Sequence, residues 1–147
     1  MLVLFGGALA VLILYAILIA WGWRWGGRQA PTPSPDEGPP ISVVVAARNE
    51  AKTLPDLLDA LDAQTHPTHE VVIVDDASTD ETAAIAEAWA EERAHATVLQ
   101  IAEPTRPRKK NALARGIEAA RHDLLAFTDA DCRPPPDWLS VLAATHA

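Results

Sequence analysis

Asp129-Ala130-Asp131 closes the apolar run Leu124-Leu125-Ala126-Phe127. Carboxylates at i and i+2, where a strand runs out, point the same way. At a separation of roughly 5 Å and an effective dielectric near 20, two ionised groups repel by about 3 kcal/mol. A divalent cation between them reverses that sign. The pair is therefore a candidate metal site, and its oxygen donors suit Mg²⁺ or Mn²⁺ with phosphate and water completing the shell. The alternative is a solvated acidic turn.

A second acidic pair, Asp75-Asp76, ends the run Val71-Val72-Ile73-Val74. Adjacent strand residues face opposite ways, so only a turn lets both meet one ligand. A carboxylate there can accept hydrogen bonds from a nucleobase N–H or a ribose hydroxyl. Otherwise one caps the following helix and the other lies in water. Arg106, Arg108, Lys109 and Lys110 put four positive charges in five residues. They can meet a pyrophosphate, or form a solvated loop. Neither G-x-G-x-x-G nor a Walker sequence occurs, which disfavours dinucleotide dehydrogenases and P-loop enzymes. His66 and His69 lack a third ligand and are expected at the surface. Cys132 is the one cysteine, so no internal disulfide exists, and it reads as a packed or incidental thiol.

These residues need a scaffold. Ile41–Ala46, Glu70–Val74, Thr97–Ile101 and Leu124–Thr128 read as strands, the first a short β-branched run consistent with burial. Leu54, Leu57, Leu58 and Leu61 fall at i, i+3, i+4, i+7, one apolar helix face that starts close to Thr53 because Pro55 is tolerated only in a first turn. Ser78 with Glu81 reads as a capping box opening a helix through about Arg93. Lys110–Arg121 reads as a helix with Leu113, Ile117 and Ala120 inward. Pro134-Pro135-Pro136 ends the pattern before one more helix at Asp137-Trp138-Leu139. This alternation predicts an α/β domain over 41–147, a Rossmann-like parallel sheet with flanking helices. In such a sheet ligands bind outside the carboxyl ends of the strands, where both acidic pairs fall. The fourth strand is expected to leave an edge that another segment covers.

The formal net charge of −8, from 20 acidic and 12 basic residues, argues against a nucleic-acid partner. The first 23 residues carry no charged side chain. Leu2–Trp23 would span roughly 33 Å as a helix, the thickness of a bilayer's hydrocarbon. No basic start precedes the run, and it is too long for a cleaved signal peptide. Trp21, Trp23 and Trp25 gather with Arg24 and Arg28 at its end, an interfacial belt. Residues 1–25 are thus expected to form one transmembrane helix in the cell (inner) membrane. The positive charges that follow it put the domain in the cytoplasm. Residues 26–40, with five prolines and three glycines, form a semi-rigid linker.

Four segments occur in order: Ser42-Val43-Val44-Val45-Ala46-Ala47-Arg48-Asn49-Glu50, Val74-Asp75-Asp76-Ala77-Ser78-Thr79-Asp80, Lys109-Lys110-Asn111-Ala112-Leu113 and Thr128-Asp129-Ala130-Asp131. Together they resemble the nucleotide-sugar-binding half of family 2 glycosyltransferases, which have the GT-A fold. The resemblance implies that Ala46, Arg48, Glu50, Asp75 and Asp76 hold the base and ribose of a nucleotide-sugar, often uridine-linked. It implies that Lys109 lies at the diphosphate, and that Asp129 and Asp131 hold Mg²⁺ or Mn²⁺ against it. The residue before that lysine, usually glycine, is Arg108 here. An inverting, metal-dependent transfer to a glycan or lipid acceptor is implied, in the making of cell-envelope polysaccharide. The family's general base and acceptor segments lie in a second half, so the chain reads as the first part of a larger enzyme. The rival expectation is a membrane-tethered nucleotide-sugar-binding fragment without catalysis.

Overall fold

The computed structural model describes residues 38–103 and 107–146. Its elements are β1 (Ile41–Ala47), α1 (Leu54–Asp62), β2 (His69–Asp75), α2 (Thr82–Glu91), β3 (Ala96–Gln100), α3 (Arg108–Ala119), β4 (Leu124–Asp129) and α4 (Trp138–His146). The strands form one parallel sheet in the order β3-β2-β1-β4. The expected alternation and its parallel sheet are thus present. The expected transmembrane helix and most of the linker lie outside the described residues. Among those described, no helix is long and apolar enough to cross a membrane.

The period of two along the strands sorts side chains onto two faces. Val43, Val45, Val71 and Ile73 face a larger core closed by Leu54, Leu57, Leu58 and Leu61 of α1, Ala86 of α2, and Leu139 and Ala143 of α4. Val72 and Val74 face a smaller core with Ala112 of α3. β1 and β2 are buried on both faces, which is why they read as continuous Val and Ile runs. Pro55 sits in the first turn of α1, as its missing N–H requires.

Three expectations are corrected. First, α3 turns Ala112 and Gly116 inward, while Ile117 is 44% exposed. A Cβ on Gly116 would fall on Val44 Cγ1, so the helix lies too close to the sheet for large side chains. Second, no capping box opens α2, which starts at Thr82 without a side-chain bond from its N-cap, Glu81. Ser78 Oγ is engaged elsewhere, accepting the Asn49 N–H at 3.0 Å. Asp80 serves the helix start instead, its Oδ1 accepting the Thr82 N–H at 3.1 Å. Third, His66 is buried, with Nε2 3.1 Å from the Pro39 carbonyl oxygen. His69 is half-buried, its Nδ1 3.0 Å from the His66 carbonyl oxygen. Cys132 is exposed.

β4 is an edge of the sheet, and its Phe127 is 47% exposed. At the amino ends of the strands, Glu70 is only 2% exposed and fully engaged. Its carboxylate accepts hydrogen bonds from Ser42 Oγ (2.5 Å), from the Arg121 backbone N–H, and from Arg121 Nε (2.5 Å). Burial pushes this carboxyl upward. The bonds from Ser42 and from the Arg121 backbone and guanidinium outweigh that and hold it below its ordinary 4.5.

Candidate functional site

β1, β2 and β4 all end on one side, where Ala46 pairs with Val74 of β2 and with Asp129 of β4. The chain runs β1 to β2 to β3 in one direction, then returns to lay β4 on the other side of β1. That reversal makes the β1–β4 boundary a topological switch point, where open parallel sheets bind ligands.

A cavity of about 260 Å³ opens there. Ala46, Arg48, Glu50, Asp76, Lys109, Asp129 and Asp131 all line it. The expected site residues therefore converge, with one exception. Asp75 is buried behind the wall and does not line the cavity; its Oδ2 accepts the Ser78 N–H at 3.2 Å. Adjacent residues at a strand end diverge, and the turn after β2 brings only Asp76 forward. Ala47, Arg108, Ala112 and Ala130 complete the lining. Of these, Arg108 belongs to the basic run already read as able to meet a pyrophosphate, whereas the alanines carry no chemical signal. The volume is small beside the roughly 300–1,000 Å³ of a small-molecule pocket, so a large ligand extends beyond it.

The two loops that carry Arg48 and Asp76 are fastened to each other. Asn49 and Ala77 both have left-handed backbones, with φ of 54° and 53°. Asparagine tolerates this; alanine does so at a cost of roughly 1–2 kcal/mol. The surroundings hold them there. The Asn49 N–H donates to Ser78 Oγ, and Asn49 Oδ1 accepts the Thr79 N–H at 2.8 Å. The Glu50 N–H donates to Thr82 Oγ1 at 2.8 Å, and the Ala51 N–H to Asp80 Oδ2 at 3.2 Å. The sequence reading gave Asn49, Thr79 and Asp80 no task. The available signal was an Asn, a residue type that tolerates the left-handed region, two residues past a strand.

Charge inside the cavity is mixed. Asp76 is 4% exposed; its Oδ2 lies 3.9 Å from Arg48 Nη1 and its Oδ1 has no partner among the described residues. Lys109 Nζ donates to Asp129 Oδ1 at 2.7 Å, and this bond raises the lysine above its ordinary 10.5. Both side chains are more than half exposed, so the pair adds little stability by itself. Among the described residues no three His, Cys, Asp or Glu side chains converge as a metal site. Asp129 and Asp131 offer hard oxygen donors to the same cavity. That donor set fits a cation such as Mg²⁺ or Mn²⁺ that takes its remaining ligands from phosphate and water.

A parallel α/β domain with an acidic, lysine-bearing cleft at its switch point defines a class of nucleotide-binding fold. Residues 42–147 match the family described as Glycosyl transferase family 2, and the chain belongs to that family. It is 35% identical over 107 residues to the undecaprenyl-phosphate 4-deoxy-4-formamido-L-arabinose transferase of Pseudomonas fluorescens, covering 71% of this chain and 31% of that protein. The chain thus spans about a third of the length of the curated relatives it matches. Two solved structures are similar in fold and sequence. The mannosyltransferase PcManGT of Pyrobaculum calidifontis, in complex with GDP-Man and Mn²⁺, matches at 31% identity with a TM-score of 0.65, covering 90% of this chain and 41% of that one. S. aureus TarS 1–349, in complex with UDP-GlcNAc, matches at 31% identity with a TM-score of 0.61, covering 71% and 30%. The GT-A-like fold expected from the sequence is therefore that of its structural neighbours.

Proposed function

We propose that this chain is the donor-binding part of a membrane-anchored, cytoplasm-facing glycosyltransferase. It binds a nucleoside diphosphate sugar, with uridine as the first base to test, for transfer to a glycan or lipid acceptor. One observation carries the reading. Arg48, Glu50, Asp76, Lys109, Asp129 and Asp131 share a cavity at the switch point, and Asp76 keeps a buried oxygen unpartnered among the described residues. A carboxylate so placed accepts N–H or O–H donors from a base or ribose. Asp75, behind it, fixes the turn through the Ser78 N–H rather than touching ligand. The neighbours solved with GDP-Man and with UDP-GlcNAc support the donor class. The lipid-phosphate relative supports a membrane-borne acceptor.

On this reading Asp129 and Asp131 hold Mg²⁺ or Mn²⁺. When bound, the cation supplies Lewis-acid stabilisation of the departing diphosphate. Lys109 leaves Asp129 and donates to a phosphate oxygen, adding a fixed positive charge where negative charge develops. Ala46 and Ala47 leave room for the donor to approach the backbone of β1. An acceptor hydroxyl, deprotonated by a general base, attacks the anomeric carbon from the face opposite the leaving group and inverts it. No residue of this chain is assigned that base.

Calorimetry of the full chain with UDP and with GDP, in Mn²⁺ and then in excess chelator, tests the proposal. Binding of one of them that is lost with the metal is the expected result. Absence of binding to both would reject it.

A further inference from the structure

Arg108 is a third cation in the cavity, beside Arg48 and Lys109, and its task is still open. It opens α3 behind the N-cap Pro107, which makes no side-chain cap bond, and it lines the cavity beside Lys109. Consecutive helical positions diverge by about 100° around the axis, so the two side chains meet different surroundings. The Lys109 side chain is 63% exposed and engaged with Asp129. Arg108 is half-buried, and its Nη1 is shielded from solvent without a hydrogen-bond partner among the described residues. A buried guanidinium N–H left unmade is costly.

Asp76 in the same cavity also keeps a buried oxygen without a partner among the described residues. Two such groups of opposite charge would satisfy each other if their task were structural. They do not: among the described residues the cation paired with Asp76 is Arg48, at 3.9 Å. A donor and an acceptor, each left open in one cavity, suit a third body that carries both acceptors and donors. A nucleotide does, with phosphate oxygens at one end and ribose hydroxyls and base N–H groups at the other. A guanidinium presents a planar fork that matches phosphate oxygens two at a time. The backbone N–H groups at the start of α3 favour an anion at the same place.

We propose that Arg108 is a pyrophosphate-contacting residue that makes the cavity select nucleoside diphosphates over monophosphates. The inference rests on the donor-site reading above and adds a specificity determinant to it. With Lys109 and Arg108 both engaged, the second phosphate gains a forked partner that a monophosphate lacks.

The test titrates UDP and UMP, each with Mn²⁺, into the full chain and into the R108Q and R108K variants. GDP and GMP replace them if guanine is the base bound. The wild-type chain prefers the diphosphate. R108Q lowers diphosphate affinity roughly 10- to 100-fold, the range for charge-assisted hydrogen bonds, and monophosphate affinity by less than about threefold. R108K falls between, because an ammonium keeps the charge and loses the fork. If R108Q does not fold, as judged by circular dichroism, R108K decides by the same selective loss. Unchanged diphosphate affinity, or equal loss for both nucleotides, overturns this inference alone. A wild-type chain that binds neither UDP nor GDP overturns the donor site and the inference together.

Discussion

The two ends of the sheet treat buried carboxyl groups in opposite ways. At the amino ends, Glu70 is surrounded by donors, with Ser42 and both the backbone and side chain of Arg121 turned to it. At the carboxyl ends, Asp75 and Asp76 are buried as deeply, yet each keeps an oxygen without a partner among the described residues. A satisfied buried charge holds the fold; an unsatisfied one costs stability and, where it faces a cavity, is open to a ligand. Partner count sets both aspartates apart from Glu70, and only facing the cavity sets Asp76 apart from Asp75.

Substitutions at the two ends can break this contrast. Glu70→Ala removes the acceptor and strands the Ser42 hydroxyl and the Arg121 N–H. The expected loss is about 2–4 kcal/mol in a urea titration of the full chain, with nucleotide affinity unchanged. Weakened binding instead would show that the amino end also serves the cavity. The same residue carries a pH signature. Its folded carboxyl is held below 4.5, so its contribution is complete above that value and fades as pH falls through the lower, folded one. The stability gap between wild type and Glu70→Gln should therefore narrow in acid below about pH 4.5, and a gap that is flat down to pH 3 contradicts the assignment.

At the other end, Asp129→Asn is expected to weaken metal-dependent nucleotide binding about 100-fold while shifting the urea midpoint little, because its lysine partner is largely exposed. Calorimetry in Mn²⁺ reads the first effect. Asp76→Asn sharpens the contrast further. Binding should fall about tenfold, with stability equal to wild type or higher by up to about 1 kcal/mol, since an uncompensated buried group has been neutralised. Marked destabilisation would place Asp76 with Glu70 as a structural residue. The smallest effect is at Ala77, whose φ of 53° suits glycine. Ala77→Gly should stabilise by about 0.5–1 kcal/mol, net of the greater freedom of the unfolded chain, as read by thermal melting.

Most of the sheet was legible because its central strands are buried on both faces and so consist of β-branched runs. The acidic strand ends were legible because charge after such a run has few structural uses. What escaped the sequence depends on distances between elements. The inward face of α3 is made of Ala112 and Gly116 because that helix approaches β1 closely, and a pattern of large apolar residues points to the wrong side. Ser78 looked like a helix cap, and a loop 29 residues earlier claims its hydroxyl. His66 looked like a surface residue until the Pro39 carbonyl came within reach of its ring. Asp75 and Asp76 could not be told apart in sequence, because their separation arises in the turn between them.

The ion pair between Lys109 and Asp129 has a thermodynamic implication for the proposed ligands. A cation that seeks Asp129 must displace an ammonium, and a phosphate that draws the ammonium away frees the carboxylate. Each arrival therefore eases the other, and by linkage the enhancement is the same in both orders. On the proposed function the lysine would act as a placeholder, and metal and nucleotide would be heterotropic effectors of one another within a single cleft.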